Sequence, residues 1–407
     1  MASALSTSND YPKSWVPIKP QEIDYFSHVP VATGPADDQR SILPAGFPKS
    51  IASETAWTGT DIKNNPTPER YTLTLNKDQI AELEQACRKF QELGLPLDGV
   101  SQESFPLPTL GNELKTLAKV LTNGVGFFRI YGLDSGRYSS ETNVIIYLGI
   151  SSYIGAKRGR QDEYGNMLLH LTDLGQSVAP LNERQAPYSN VSQPFHTDTG
   201  ADIVALYSLG ESECGGESQL VPMATVYNEI AKSRPDIIRL LASHSWVFDS
   251  FGQRPAYTIR PILFPVADDK VLLSFVRRPL VGSMSSPRSH GIPELSDAHV
   301  EALYAVQFVG EQHAMSTKLK AGEMLFWNNL AMLHSRAGFT DAPDHRRHLV
   351  RLWLRNDATE SGWPIPGELQ ASFEDAFEHA GRSQLWPLKP ISDREYICNQ
   401  QRSCGHG

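Results

Sequence analysis

The chain has few cysteines for its length, and they are widely scattered. Its 407 residues contain four, Cys87, Cys214, Cys398 and Cys404, and no Cys-x-x-Cys pair. Neither a disulfide framework nor a thiolate zinc site is therefore expected, and a reducing compartment fits this pattern best.

Segments that would direct the chain into or across a membrane are also missing. Residues 1–13 are rich in Ser, Asn and Asp and contain no apolar stretch, unlike a secretory signal. No apolar run reaches the roughly 18 residues needed to span a bilayer. Residues 404–407 match no retention or peroxisomal tail. We therefore expect a cytoplasmic protein with no membrane partner.

An excess of basic residues is absent as well. The formal net charge is −9 at pH 7, and the basic run at residues 346–348 is short. Since neutralising phosphates requires clustered Lys and Arg, nucleic acid is not an expected partner. No Gly-x-Gly-x-x-Gly precedes a helix, which excludes a dinucleotide fold. A small-molecule substrate is expected, and a homo-oligomer stays open.

Composition and length predict one large domain with an extension. Hydrophobic residues make up 40% and charged residues 20% of the chain, which are ordinary globular values. Residues 1–70 show little periodicity, and Trp15, Phe26 and Trp57 are their large apolar side chains. We expect an irregular N-terminal arm over residues 1–70 and a single domain over residues 71–407.

The apolar periodicity indicates a mainly β fold with inserted helices, an α+β class. Asn76 and Gln79 form a capping-box pattern ahead of an amphipathic segment that ends at Gly94. Strands dominate after residue 190. Further helices are predicted over residues 224–232, 235–242 and 297–308, and strands over residues 126–134, 202–209 and 270–276.

His196-Thr197-Asp198 places two metal-ligand types at i and i+2, which project to the same side of a strand. Two imidazoles and one carboxylate on one face of an iron(II) ion leave positions open for a co-substrate and oxygen. However, 12 histidines and 46 acidic residues in 407 predict about one His-x-Asp/Glu match by chance. A second match, His299-Val300-Glu301, lies in a predicted helix, and we interpret it as a solvated helix face.

A third ligand is predicted at His334. Residues 323–329 resemble a strand and turn, and the apolar residues 330–333 lead into this histidine. A lone histidine in an apolar run is more often a packed core residue, and that alternative stays open on the sequence alone.

Residues 348–355 alternate apolar and basic side chains, which predicts a strand. Arg347, Arg351 and Arg355 then share one face. Inside a barrel such arginines need anionic partners, and a guanidinium matches a carboxylate in bidentate fashion. A surface strand with solvated arginines is the alternative.

Together these segments resemble the TauD/TfdA family of iron(II)- and 2-oxoglutarate-dependent dioxygenases, from residue 120 to residue 356. The resemblance implies a double-stranded β-helix, or jelly-roll, core. It implies Fe(II) held by His196, Asp198 and His334, with 2-oxoglutarate and O2 as co-substrates. Within the family, the chain most resembles a fungal branch whose members have an extended N-terminal arm.

The resemblance also implies roles for residues around the metal. Arg347 would hold the distal carboxylate of 2-oxoglutarate. Ser218, in Gly215-Gly216-Glu217-Ser218, would assist in place of the family's usual threonine, keeping the hydroxyl donor but losing the stiffening methyl group. Arg351 would bind an anionic substrate, orient Asp198 or support Arg347. The residues implied to contact the substrate are Arg351, Tyr188, Asn190 and Phe339.

The implied function is oxidation of an unactivated C–H bond in a small, anionic or amino-acid-like substrate, by hydroxylation, desaturation or oxidative ring closure in secondary metabolism. One alternative is a metal-dependent hydrolase that uses the same three ligands and a metal-bound water. It leaves the arginine strand unexplained and lacks a general base placed by any motif. The other alternative is a non-catalytic jelly-roll binding protein.

Overall fold

The computed structural model describes residues 42–267, 269–356 and 363–398, which form a β-rich α+β fold. The predicted arm anchors Trp15 and Phe26 lie outside the described residues. Trp57 is buried, and its indole Nε1 donates to the carbonyl of Val125 at 2.7 Å. Residues 42–70 thus pack on the core, and the domain boundary at residue 70 stays a prediction. In the described part of the chain, no helix is long and apolar enough to cross a membrane.

Ten α-helices and seventeen strands make up the regular structure of the described residues. The helices are α1 Gly59–Lys63, α2 Lys77–Glu92, α3 Leu110–Asn123, α4 Ser140–Ser152, α5 Met223–Ser233, α6 Pro235–Leu241, α7 Arg278–Val281, α8 Asp297–His313, α9 Gly367–Phe377 and α10 Arg394–Cys398. Short 3₁₀ helices cover Pro68–Arg70, Leu97–Gly99, Ser135–Arg137 and Ala186–Tyr188. The strands are β1 Thr72–Thr74, β2 Phe127–Tyr131, β3 Lys157–Gly159, β4 Leu168–Thr172, β5 Gln193–His196, β6 Ile203–Gly210, β7 Cys214–Gly215, β8 Ser218–Pro222, β9 Trp246–Asp249, β10 Tyr257–Arg260, β11 Leu263–Ala267, β12 Lys270–Leu273, β13 Met315–Thr317, β14 Met324–Asn328, β15 Met332–Arg336, β16 Phe339–Thr340 and β17 His348–Arg355.

Two sheets face each other and enclose the central cavity. The larger has the order β1-β2-β14-β6-β17-β3, and β4 also pairs with β17. The smaller has the order β13-β8-β15-β5. Side chains of β6, β14 and β17 line one wall of the cavity, and side chains of β5, β8 and β15 line the other. This arrangement is the predicted jelly-roll core.

Helices cover the outer faces of both sheets. Apolar residues of α2, α3 and α4 pack in one buried cluster with the larger sheet. Helices α5, α6 and α8 pack against Phe195, Val221 and Leu333, which point away from the cavity on the smaller sheet. The strands of the smaller sheet are therefore fixed from behind, which holds their cavity-facing side chains in place.

Most of the predicted elements are confirmed, because their signals are local. Helix α2 begins at Asn76 with a capping box to Gln79 and ends at Glu92. Helix α8 begins behind the cap Ser296 but extends to His313, five residues beyond the predicted end at Phe308. The alternating segment forms β17, an eight-residue strand of the larger sheet that pairs with β6 on one side.

A buried histidine pair joins β4 and β17. His170 Nδ1 lies 2.7 Å from His348 Nε2, and His170 Nε2 lies 2.8 Å from the carbonyl of Pro387. Burial, together with the neighbouring imidazole, lowers the pKa of His348 from 6.5 to about 4. Protonating this pair would therefore oppose folding.

This pair predicts a loss of stability in acid. The pKa of His348 is about 4 in the folded protein and near 6.5 in the unfolded chain, so between these two pH values the unfolded chain binds more protons. The stabilisation from the neutral pair is therefore complete above about pH 6.5 and is lost as the pH falls toward 4. The free energy of unfolding should fall by about 2 kcal/mol from pH 7 to pH 5. Urea unfolding at each pH measures this. His348→Gln should flatten the dependence, and an unchanged slope in that variant would contradict it.

Candidate active site

The structure brings the three predicted metal ligands together. Strands β5 and β15 run antiparallel with His196 directly opposite His334, and the two imidazole centroids are 4.0 Å apart. Asp198 follows β5, and its Oδ1 lies 4.0 Å from His196 Nε2 and 3.8 Å from His334 Nε2. The three ligand atoms all lie within 4.8 Å of one another. That spacing suits one shared metal ion.

Both imidazoles are held in the neutral form that can act as a metal ligand. His196 Nδ1 lies 2.8 Å from the carbonyl of Pro194, so it carries the proton and leaves Nε2 with a free lone pair. Burial lowers the pKa of His196, and it lowers that of His334 further because the His196 ring adds to the effect. Neutral imidazole is the form that binds a metal ion.

Asp198 is held on every side by neighbouring groups. Its carboxylate accepts from Arg351 Nη1 at 3.0 Å and from Trp353 Nε1 at 2.7 Å. The Asn329 side chain binds the Asp198 backbone, accepting from its N–H at 3.0 Å and donating to its carbonyl at 2.7 Å. Arg351 is itself anchored by Gln161, whose Oε1 accepts from Arg351 Nε at 2.8 Å. The loop after β5 therefore has a fixed conformation.

Trp353→Phe should weaken iron binding about 10- to 100-fold, which is the usual cost of losing a group that orients a metal ligand. The reason is that Asp198 loses its indole donor while the aromatic packing is kept. Anaerobic titration with Fe(II) measures the change. The matched control is Trp246→Phe, which removes an indole donor to the Leu240 carbonyl at a residue that does not line the cavity. Equal iron affinities in the two variants would contradict the assigned role.

A cavity opens beside the three ligands, between the two sheets. About 550 Å³ of space not filled by atoms lies there, and part of it is open to solvent. Its lining residues are Leu171, Pro187, Gln193, His196, Leu206, Ser218, Leu220, Trp327, His334, Ser335, Arg336, Arg347 and Arg351. The lining carries three arginines and no carboxylate, so the cavity suits an anionic ligand.

Arg347 is one of the three. It is buried, and its Nε donates to the Gly216 carbonyl at 3.3 Å. Its Nη1 is also buried and has no hydrogen-bond partner among the described residues. Gly216 has φ +80°, and an added Cβ would lie 2.9 Å from Arg347 Cδ, so the glycine leaves room for this side chain. Ser218 lines the same cavity. The two predicted co-substrate residues are thus brought together.

Arg336 was missed by the sequence reasoning. It is buried on β15, two residues after His334, and its Nη2 donates to the Val191 carbonyl. Its Nε is buried and lacks a hydrogen-bond partner within the described ranges. The signal was available, because residues two apart on a strand share a face, and β15 places His334 and Arg336 in that relation.

The predicted substrate residues lie in different surroundings. Arg351 binds Asp198, as one of its three predicted roles required. Tyr188 is buried, with its hydroxyl 3.3 Å from that of Tyr396. Asn190 contributes its backbone carbonyl, which accepts from the N–H of Phe339 at 3.1 Å.

The second His-x-Glu motif is less exposed than expected. His299 is partly buried, with its ring 4.6 Å from that of Trp246 and its Nε2 2.9 Å from Ser245 Oγ. Glu301 pairs with Arg234 at 2.7 Å. This face of α8 is therefore partly buried against β9 and partly exposed to solvent.

Comparison with known proteins identifies the family. The model of the "Taurine catabolism dioxygenase TauD, TfdA family" matches residues 90–353. The chain belongs to this family. The "Taurine hydroxylase-like protein SAT17" of the fungus Stachybotrys chartarum (strain CBS 109288 / IBT 7711) is 33% identical over 351 residues, which cover 84% of this chain and 89% of that protein. The predicted family and the dioxygenase class are thereby confirmed.

Solved structures share the fold. Asparagine oxygenase in complex with Fe(II), 2S,3S-3-hydroxyasparagine and succinate has a TM-score of 0.56 and 16% identity, covering 76% of this chain and 98% of that one. The non-haem iron oxygenase OrfP with Fe, succinate and (3S)-hydroxy-L-Arg has a TM-score of 0.53 and 13% identity, covering 71% and 96%. The predicted jelly-roll class and the Fe and 2-oxoglutarate dependence of the family are in line with these structures.

Proposed function

We propose that the protein oxidises an unactivated C–H bond of a small amino-acid-like or anionic molecule, with His196, Asp198 and His334 holding Fe(II). The observation that supports it most is the position of the three ligand atoms, within 4.8 Å of one another. They lie beside a cavity with a buried arginine nitrogen that has no hydrogen-bond partner in the described part of the chain. A metal centre and an anion site are thus adjacent.

The donor set suits iron(II). Two neutral imidazoles and one carboxylate leave the other coordination positions open, as non-haem iron oxygenases require. When bound, Fe(II) with 2-oxoglutarate and O2 supplies the oxidising power that removes hydrogen from carbon, while the co-substrate is converted to succinate and carbon dioxide. The chain supplies binding, orientation and exclusion of water.

Arg347 and Ser218 are proposed to bind the distal carboxylate of 2-oxoglutarate. A buried guanidinium without a carboxylate partner is costly, and an incoming carboxylate removes that cost. Leu171, Leu206 and Leu220 also line the cavity. They shield the co-substrate from water, which strengthens its pairing with Arg347.

Arg351 is proposed to orient Asp198, so substrate binding is not its sole proposed role. Its Nη1 and the indole of Trp353 keep the carboxylate turned toward the two histidines. With both oxygens engaged, Asp198 has little freedom to rotate.

An amino-acid-like substrate is supported by the named ligands of the solved relatives, hydroxyasparagine and hydroxy-arginine. Tyr188, Asn190 and Phe339 remain the proposed substrate contacts. The reaction is proposed to belong to secondary metabolism. Hydroxylation, desaturation and ring closure all start from the same hydrogen removal. The hydrolase alternative is disfavoured because no carboxylate among the described residues lines the cavity to act as a general base.

A screen for succinate formation tests this proposal. Iron-loaded protein with 2-oxoglutarate should form succinate above background with members of one class among L-amino acids, small carboxylates and sulfonates. Asp198→Ala supplies the baseline. Succinate formation that no compound of these classes increases would contradict the proposed substrate class. The absence of succinate under every condition would contradict the proposed reaction.

The proposed setting is the cytoplasm, without nucleic-acid or membrane partners. Among the described cysteines, Cys87, Cys214 and Cys398 are free thiols, which supports a reducing compartment. A homo-oligomer stays open.

A further inference from the structure

Three arginines line the cavity, and only one of them forms an ion pair with a carboxylate of the metal site. Of its three arginines, Arg351 is paired with Asp198. No carboxylate within the described ranges hydrogen-bonds to the guanidinium of Arg336 or Arg347. Each instead donates to one backbone carbonyl and retains a buried nitrogen without a partner, Nε in Arg336 and Nη1 in Arg347. Asp173 acts on Arg336 only through space, as do Asp341 and Glu217 on Arg347, so these two buried cations still favour an anionic ligand that hydrogen-bonds to them.

We propose that Arg336 and Arg347 together form a two-arginine clamp on the distal carboxylate of 2-oxoglutarate. The inference rests on the proposed function, in which Arg347 alone was given that role with Ser218. It adds a residue that the sequence did not indicate.

The strand register brings the three groups to one end of the cavity. Ser218 on β8 lies directly opposite Arg336 on β15, and Ser218 and Arg347 line the central cavity together and also a second, smaller pocket beside it. The guanidinium carbons of Arg336 and Arg347 lie 5.0 Å and 5.3 Å from the centroid of the Phe339 ring. Both guanidinium groups therefore contact the same aromatic ring.

The distance from the metal ligands suits a five-carbon dicarboxylate. Arg336 is two residues beyond His334 on the same strand face, which is roughly 7 Å along β15. Leu220, opposite His334, and Ser218, opposite Arg336, repeat that step on β8. A 2-oxoglutarate molecule whose keto acid end lies at the histidines extends its other carboxylate to this layer.

One carboxylate can satisfy all three donors. Its two oxygens offer about four acceptor sites, enough for Arg347 Nη1, Arg336 Nε and the Ser218 hydroxyl. The Arg336 contact with the Val191 carbonyl uses Nη2 and leaves Nε available. A purely structural role for Arg336 in holding Val191 would therefore leave its buried Nε without a hydrogen-bond acceptor among the described residues.

Ligand pairs that differ in the distal carboxylate test the clamp by binding rather than by activity. Full-length protein loaded with Fe(II) without oxygen is titrated calorimetrically with 2-oxoglutarate and with 2-oxopentanoate, which lacks the distal carboxylate. Arg336→Met should raise the Kd for 2-oxoglutarate at least tenfold and leave that for 2-oxopentanoate unchanged. Arg347→Met should do the same, and the double variant should lose less than the product, because both arginines bind one group.

Two further variants separate the clamp from a general effect on folding. Arg288→Met removes an arginine that donates to the backbone carbonyls of Pro279 and Leu280 away from the cavity, and it should leave both affinities unchanged. Arg336→Lys keeps the charge and should retain an intermediate affinity for 2-oxoglutarate. Thermal melting of each variant confirms that the protein is folded.

The outcomes separate this inference from the function beneath it. An unchanged Kd for 2-oxoglutarate in Arg336→Met, with a raised Kd in Arg347→Met, overturns the clamp and keeps the single-arginine site. Equal weakening of both ligands in Arg336→Met assigns that arginine to positioning the Val191 segment and also overturns the clamp. A wild-type protein that binds no 2-oxoglutarate overturns the proposed function itself.

Discussion

Asp198→Ala and His334→Ala should each abolish iron binding and, with it, succinate formation. The two residues contribute ligand atoms 3.8 Å apart, and removing either leaves only two donors for the ion. Losing a group that merely orients a ligand costs about 10- to 100-fold, so losing a ligand itself should exceed 100-fold. The measurement is the iron content after anaerobic loading, together with the turnover of the loaded protein.

His299→Ala is the matched control for both. It removes the other histidine of a His-x-Asp/Glu motif, which packs against Trp246 on helix α8 away from the cavity. Its iron content should equal that of the wild type. Normal iron affinity in His334→Ala would remove His334 from the centre and return it to the alternative of a packed core residue.

Arg347→Ala should raise the 2-oxoglutarate KM by about 30-fold or more while the iron content stays normal. Truncating one partner of a buried charge pair costs about 2–5 kcal/mol, and 2 kcal/mol corresponds to that factor. Ser218→Ala, which removes a neutral donor worth about 1 kcal/mol, should raise the KM about fivefold. Steady-state rates of succinate formation at varied 2-oxoglutarate measure both.

Arg351→Ala separates the role of Arg351 on β17 from that of Arg347, which directly precedes the strand. Because Arg351 binds Asp198 and Gln161, its loss should weaken iron binding more than it changes the requirement for 2-oxoglutarate. A large rise in the 2-oxoglutarate KM for Arg351→Ala, with none for Arg347→Ala, would show that the two roles are reversed.

Local patterns made much of the fold predictable. The capping box at Asn76 fixed the start of α2, and alternation of side chains from His348 to Arg355 predicted β17 and the common face of its arginines. The ligand pair His196 and Asp198 was visible for the same reason, since two residues two apart on an extended segment point the same way. These signals depend on a few neighbouring residues.

The remainder of the site depends on contacts between distant segments. Trp353 looks like an ordinary apolar residue of β17, and only the fold shows that its indole donates to Asp198, 155 residues away in the chain. Asn329 clamps the backbone of Asp198 across 131 residues. The register of β15 against β8, which sets Arg336 opposite Ser218, is likewise a tertiary property. Such partners leave no periodic signal in the sequence.

Anaerobic visible spectroscopy tests the central claim most directly. Adding 2-oxoglutarate to the Fe(II)-loaded protein without oxygen should produce a weak metal-to-ligand charge-transfer band, which requires iron and co-substrate in direct contact at one site. His334→Ala and Asp198→Ala should not show it. Wild-type protein that retains its iron but develops no band at saturating 2-oxoglutarate would contradict the account and favour a metal-dependent hydrolase.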